Sequence, residues 1–161
     1  MAERARVAVQ TAPFDVAVEL AALTAGRHDI GAIGSFVGTV RDSAGGRRLA
    51  AMVLEHYPAM TERALAGIVA QAGQRWPLLG VTVIHRVGRL VPGDGIVLVL
   101  AASAHRAAAL GATSFLIDWL KTGAPFWKQE YFVDGTSAWV AARAEDDAAA
   151  AAWATVPPPA R

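Results

Sequence analysis

Two lysines at the end of a helical pattern are the residues best placed for chemistry. Lys121 and Lys128 bracket the segment 122–127, which reads TGAPFW. Helical spacing places Lys121 on one face with Leu110 and Ile117, so the pattern predicts that it lies on the apolar side of its helix. A lysine there either extends its stem to reach solvent or is partly buried. Partial burial would make the neutral amine available as a nucleophile or base.

A carboxylate accompanies the second lysine. Lys128 and Glu130 lie two residues apart in a run that reads as a strand, FWKQEYFV. Side chains alternate along a strand, so both should face the same side of the sheet. They either form a salt bridge across that face or contribute jointly to a site. Phe126 and Trp127 either wall such a pocket or pack in the core.

Another basic pair stands where a strand passes into a helix. His105 and Arg106 follow Ser103, the expected N-cap. Helix N-termini expose free N–H groups and carry partial positive charge, so two cations there indicate either an anion site or an exposed pair. Arg41 is a further candidate, or a solvated charge at a strand end. Together five residues would form a cationic pocket for a compact, multiply charged anion: Arg41, His105, Arg106, Lys121 and Lys128.

Other familiar chemistries find no support in the sequence. The glycine-rich run at 31–38 does not match GxGxxG, and glycines in a strand instead permit a bulge or a close backbone approach. His28, His56 and His85 are scattered without metal-ligand spacing, so we predict neither a metal site nor a cofactor. Asp94, in PGDG, is expected to be a turn residue.

Composition narrows the class of protein. The chain has 161 residues, 54% of them hydrophobic, which is enough for one domain; we assign 1–153 to it and 154–161 to a disordered tail. The net charge of +1 gives no sign of nucleic-acid binding. There is no cysteine, so the chain cannot carry a persulfide, and any sulfur that it handles must arrive on another molecule.

The sequence also gives no sign of export or membrane insertion. Its first residues, MAERARVAVQ, lack the apolar core of a signal peptide. No apolar run reaches the roughly 18 residues that a membrane span needs. A cytoplasmic protein is the expectation.

The order of elements predicts the α+β class. A short strand is expected at 6–11, and helices are expected at 14–25, 58–76, 104–121 and 144–153. Three antiparallel hairpins are predicted between them. The first joins 31–42 to 49–57 through a mobile polar loop at 43–48, the second joins 81–90 to 95–103, and the third joins 126–133 to 137–142.

Five stretches of the chain resemble one family. They are SFVGTVRD (35–42), LEHYPAMTERAL (54–65), VIHRVGRLVPGD (83–94), AHR (104–106) and KTGAPFWKQE (121–130). Their order and spacing are similar to those of MoaE-like molybdopterin synthase large, catalytic subunits, and the likeness spans most of 5–153. LEHYPAM together with KTGAPFWK is highly specific.

The resemblance implies an α/β-hammerhead fold and a homodimer as the core of a heterotetramer. It implies a small ubiquitin-like partner whose C-terminal Gly-Gly is activated as a thiocarboxylate. The substrate would be cyclic pyranopterin monophosphate, which two sulfur transfers convert to molybdopterin. This activity is a sulfurtransferase reaction in molybdenum cofactor biosynthesis.

The resemblance also implies roles for individual residues. Lys121 and Lys128 would act at the sulfur-transfer centre, as acid/base groups or as stabilisers of negative charge. Arg41, His105 and Arg106 would hold the anionic groups of the substrate. The family's functional positions fall on nine residues here: Thr39, Val40, Arg41, His105, Arg106, Lys121, Lys128, Gln129 and Glu130. Gln129 stands where family members differ.

Two other functions remain open from the residues alone. A phosphate-ligand or nucleic-acid-binding module would use the same cations without turnover, although few basic residues and a net charge of +1 disfavour it. A scaffold that binds a ubiquitin-like tail without chemistry would tolerate the loss of Lys121, whereas an enzyme would not.

Overall fold

A computed structural model of the protein describes residues 4–141 and 143–155. That part of the chain forms four helices and nine strands, which confirms the α+β class. In chain order they are β1 (Ala5–Gln10), α1 (Val16–Thr24), β2 (Ala32–Thr39), β3 (Ser43–Ala44), β4 (Arg47–His56), α2 (Pro58–Arg75), β5 (Leu78–Arg86), β6 (Gly88–Leu90), β7 (Gly95–Ser103), α3 (Arg106–Thr122), β8 (Phe126–Phe132), β9 (Ser137–Trp139) and α4 (Ala144–Thr155). Helix α4 runs two residues past the predicted end of the domain, and 156–161 of the predicted tail lie outside the described residues.

The first sheet has the order β1-β5-β7-β2 and holds most of the core. Strands β5 and β7 pair antiparallel at its centre, and β1 joins β5 in parallel. Helices cover both faces. Val83 and Val99 pack with residues of α2 and α3, whereas Ile84 and Leu98 pack with Leu23 of α1. Coverage on both sides explains why the central strands are apolar along nearly their whole length.

Helix α3 approaches this sheet closely because of a glycine. A Cβ atom on Gly34 of β2 would stand 2.3 Å from the Thr113 hydroxyl oxygen and 2.6 Å from the Ala109 carbonyl oxygen. The glycine prediction for 31–38 is therefore confirmed as a close backbone approach, and the strand also has a bulge between Gly38 and Thr39.

The second sheet, β3-β4-β8-β9 with β6 also paired to β4, stands beside the first. The chain leaves the first sheet after β5 and turns at Gly88, whose φ of 84° favours glycine, to enter β6. Strand β8 pairs antiparallel with β4 along Leu49–His56, and with β9 on its other side. Residues of β4, β6 and the segment after β2 form the small core of this sheet: Val40, Met52, Leu54 and Leu90.

One of the three predicted hairpins is wrong. Strand β2 does not pair with β4 but with β7, in the first sheet, and the predicted loop at 43–48 contains β3 and the start of β4. The physical reason is burial. Helix α3 covers β2 at Gly34, and β2 therefore pairs with the buried β7 of the same sheet. The hairpin between β8 and β9 is confirmed. The pairing of β5 with β7 is confirmed too, but Gly88–Leu90, predicted as the end of the first strand of that hairpin, form β6 and pair with β4.

The contact at Gly34 gives a stability prediction. We expect Gly34→Ala to lower the free energy of unfolding by about 1–3 kcal/mol, because the new methyl group overlaps two oxygens of α3. The matched control is Gly67→Ala in α2, where a Cβ meets nothing within 4 Å. That change should raise stability by about 0.5–1 kcal/mol. Urea denaturation measures both, and a Gly34→Ala protein as stable as wild type contradicts the packing described.

Candidate functional site

A cavity of about 680 Å³, open to solvent, lies where the two sheets meet the end of α3. Both lysines of the chain, Lys121 and Lys128, line it. Arg41, after β2, and Arg143, just before α4, bring two more cations to it. Two carboxylates share the cavity, and the remaining walls are mostly apolar. The structure thus brings together three of the five predicted cations and adds Arg143, which no sequence pattern had indicated.

Lys128 and Glu130 lie on the cavity face of β8, as strand alternation predicted. Lys128 is half-buried. Burial is the first cause that lowers the pKa of its amine, and the neighbouring charges of Arg143, Arg41 and Lys121 lower it further. Glu130 acts in the opposite direction and raises that pKa. The balance leaves Lys128 more easily deprotonated than an ordinary lysine, which suits a group that exchanges protons.

Lys121 lies in the last turn of α3, and the prediction that it occupies the apolar face is wrong. The buried face of α3 is formed by Ala112, Phe115, Leu116 and Leu120, whereas the side chain of Lys121 is 54% exposed. The prediction assigned the apolar face to the wrong side of the helix, since Leu110, which it placed on that face, is also exposed. Lys121 Nζ instead reaches Asp146 Oδ1 at 3.4 Å, which sets its ammonium at the rim of the cavity.

Arg41 is held in place by backbone contacts of its neighbour. Val40 is only 3% exposed and does not line the cavity. Its N–H donates to the Asp94 carbonyl at 2.9 Å, and its carbonyl accepts from the Gly93 N–H at 2.9 Å. Asp94 stabilises that turn by accepting from the Val91 N–H at 2.9 Å, which confirms its predicted role. Thr39, at the bulge, lines the cavity beside Arg41.

His105 and Arg106 do not join the other cations within one chain. They lie at the opposite end of α3, exposed, and neither lines the cavity. The N-cap prediction for Ser103 is wrong, because His105 is the N-cap and the buried Ser103 hydroxyl donates to the Pro77 carbonyl at 2.9 Å. Lys121 follows His105 by 16 positions, a helical span of about 24 Å.

Gln129 faces away from the cavity, as alternation along β8 requires. Its side chain donates to the Ser137 hydroxyl at 3.2 Å and accepts from the Tyr131 hydroxyl at 3.0 Å. The bond to Ser137 ties β8 to β9, whereas the bond from Tyr131 lies within β8. Within the described chain, Gln129 is therefore a strand-pairing residue, and it is absent from the cavity lining.

Sequence reasoning missed three groups in the cavity: Arg143, Asp146 and His85. Arg143 and Asp146 belong to an alanine-rich segment whose pattern indicated only a short helix. His85 is 7% exposed and its ring stacks on Phe126, with centroids 3.9 Å apart. The run VIHRVGRLVPGD contained His85, but nothing in its spacing pointed to a pocket.

No group of three or more His, Cys, Asp or Glu side chains among the described residues is arranged to hold a metal ion. No helix within 4–141 and 143–155 is both long and apolar enough to cross a membrane.

Comparison with known proteins places the chain in a family. A family model described as MoaE protein matches residues 9–123. The chain belongs to the MoaE family. The relative from Mesorhizobium japonicum, a molybdopterin synthase catalytic subunit, is 54% identical over 148 residues, which cover 91% of this chain and 92% of the relative.

Solved MoaE structures share the fold. The MoaE protein of Burkholderia ambifaria is 51% identical and superposes with a TM-score of 0.79 over 94% of this chain and 99% of its own. A protein of Helicobacter pylori, solved as the complex of subunits 1 and 2 of molybdopterin-converting factor, has a TM-score of 0.66 over 86% of this chain and 91% of its own. At 22% identity, its likeness to this chain is one of fold.

Two substitutions near Lys128 should shift the pKa of its amine in opposite directions. Arg143→Gln should raise the pKa of the Lys128 amine, because it removes a neighbouring positive charge, and Glu130→Gln should lower it. Nitrogen-detected NMR titration can resolve the signal, since this MoaE protein has only two lysines. Arg63→Gln, an exposed charge on α2 outside the cavity, is the control and should change nothing. A Lys128 that titrates at the usual lysine value in every variant contradicts the electrostatics described.

Proposed function

We propose that this protein is the catalytic subunit of molybdopterin synthase and works as a sulfurtransferase. It converts cyclic pyranopterin monophosphate to molybdopterin with sulfur from the thiocarboxylated C-terminus of a small ubiquitin-like subunit. The observation that carries the proposal is the convergence of Arg41, Lys121, Lys128 and Arg143 on one cavity, in a chain whose net charge is only +1. Membership of the MoaE family supports it.

The chemistry of the reactants suits this cavity. The substrate carries a cyclic phosphate and the donor carries a thiocarboxylate, and both anions are stabilised by charge-assisted hydrogen bonds from arginine and lysine. Lys128, half-buried with a lowered pKa, suits proton exchange at the transferred sulfur. Lys121, paired with Asp146, suits stabilisation of the negative charge that develops during transfer.

The sulfur has to come from a partner. The chain contains no cysteine, so it has no thiol on which to hold the atom. A thiocarboxylate at the end of a Gly-Gly tail can enter the open cavity, because glycine lets an extended backbone pass a narrow channel without side-chain clashes. The small subunit therefore delivers the sulfur and the MoaE chain supplies the charged groups around it.

A homodimer accounts for the two basic residues that lie outside the cavity. His105 and Arg106 are separated from Lys121 by the length of α3, about 24 Å, which a pterin monophosphate cannot span. We propose that a two-fold axis brings His105 and Arg106 of one copy beside the cavity of the other. The homodimer then carries two equivalent sites, each served by one small subunit in a heterotetramer.

Substitution of Lys121 tests the proposed catalysis. With the cyclic pterin and a thiocarboxylated small subunit, wild type should form dithiolene product. Lys121→Ala should fold normally and convert at least about 10²-fold more slowly. Lys121→Arg should not rescue, because the larger, planar guanidinium does not place its charge where the ammonium does. Arg63→Ala, which removes an exposed charge outside the cavity, should convert at the wild-type rate. Near-normal turnover by Lys121→Ala would remove Lys121 from the mechanism.

Subunit exchange tests the shared site. Lys121→Ala and the double variant His105→Ala/Arg106→Ala should each be inactive as homodimers. Mixing them should restore roughly half the wild-type activity per heterodimer, because one of its two sites is then intact. Mass spectrometry verifies the exchange. Activity that stays at the level of the parents after verified exchange would show that these residues act within one chain.

A further inference from the structure

His85 lines the cavity but has no part in the sulfur transfer described above. It lies on β5 opposite Val97 of β7, and it is 7% exposed. Its ring stacks on Phe126, which also lines the cavity, with centroids 3.9 Å apart and ring planes 17° apart. Sheet and stacked ring together fix the orientation of the imidazole.

The two ring nitrogens of His85 have different surroundings. Nδ1 lies 2.8 Å from the Arg86 carbonyl oxygen, and because a carbonyl only accepts, Nδ1 carries the proton. Nε2 then holds the lone pair. It makes no hydrogen bond with a described residue. It still keeps some contact with solvent, because among the described residues the side-chain nitrogen that has neither solvent contact nor a hydrogen-bond partner is His56 Nδ1. An unused acceptor is therefore left at the cavity wall.

The imidazole of His85 stays neutral at physiological pH. Burial lowers its pKa to about 4, the Arg86 carbonyl acts to raise it, and His56 lowers it. The charged groups that line the same cavity are four cations and two carboxylates: Arg41, Lys121, Lys128, Arg143, Glu130 and Asp146. A proton on His85 would face that cationic majority in addition to the cost of burial.

We propose that His85 is a ligand-binding residue whose Nε2 accepts a hydrogen bond from an N–H group of the cavity's occupant. The cations of the cavity take the anionic end of the ligand, and His85 takes a donor on its uncharged part. A fixed, neutral acceptor among apolar walls orients a ligand without adding charge. The identity of the occupant rests on the proposed function, and two sources offer such N–H groups: the pterin ring and the backbone of the glycine tail.

Two variants separate a binding role from a structural one. His85→Asn keeps a donor near the Nδ1 position but removes the acceptor at Nε2, whereas His85→Gln places an amide oxygen near Nε2. Calorimetry measures the affinity of each for cyclic pyranopterin monophosphate and for the small subunit, with and without its terminal glycines. We expect His85→Asn to weaken one occupant about tenfold, which identifies the source, and His85→Gln to retain most of that affinity.

The outcomes test the role of His85 and the proposed function separately. If His85→Asn binds both occupants as wild type does, or if His85→Gln loses as much as His85→Asn, this inference is wrong while the proposed function stands. A wild-type protein that binds neither occupant overturns the proposed function as well. His56→Asn is the control, because His56 also lies beside Phe126, at 6.1 Å, but does not line the cavity. It should leave both affinities unchanged.

A measurement on the wild-type protein does not depend on how the variants fold. Nitrogen NMR of the imidazole should show His85 Nε2 as the unprotonated nitrogen in the free protein. The occupant that donates to it should move that signal toward the protonated range. A protonated Nε2 in the free protein, or a signal unmoved by saturation with each occupant, contradicts the proposal.

Discussion

The crowding of positive charge into one cavity is the constraint on which the rest of this structure depends. Like charges at close range raise the free energy of the folded chain. Burial is the first cause that lowers the pKa of Lys128, and repulsion from Arg143, Arg41 and Lys121 lowers it further. Glu130 and Asp146 offset part of it, and the open mouth of the cavity admits solvent that screens it. An entering anion relieves the remainder, so the repulsion that costs stability favours the binding of charged reactants.

Rigid elements keep these charges apart and in place. The pairing of β4 with β8 sets Lys128 opposite Leu54 and Glu130 opposite Met52. Packing of α3 against Gly34 fixes the helix that ends in Lys121. Helix α4, which carries Asp146, is anchored where the Trp153 indole N–H donates to the Asp118 carboxylate at 2.7 Å and the Trp153 ring meets Trp76 edge-on. Lys121, Lys128, Glu130 and Asp146 are thus mounted on packed elements, as an arrangement that must meet a ligand requires.

Local patterns predicted what local geometry decides. Alternation along β8 placed Lys128 and Glu130 together, and helical spacing predicted the helix at 58–76, which the structure has at Pro58–Arg75. Contacts between distant segments were not visible. The partner of β2 was chosen by burial beside β7 rather than by nearness in sequence, so the first hairpin was wrong. Arg143 and Asp146 gained their place only because α4 folds back on α3, and no spacing rule predicts that return.

The central claim is that the cationic cavity receives the sulfur-bearing tail of a small subunit. The most direct test is a crystal structure of this chain with its small subunit in the unactivated, carboxylate form. Our account predicts that the terminal glycine carboxylate lies in the cavity within hydrogen-bonding distance of Lys121 or Lys128. A tail that ends elsewhere on the surface, with the cavity filled only by solvent, would contradict it.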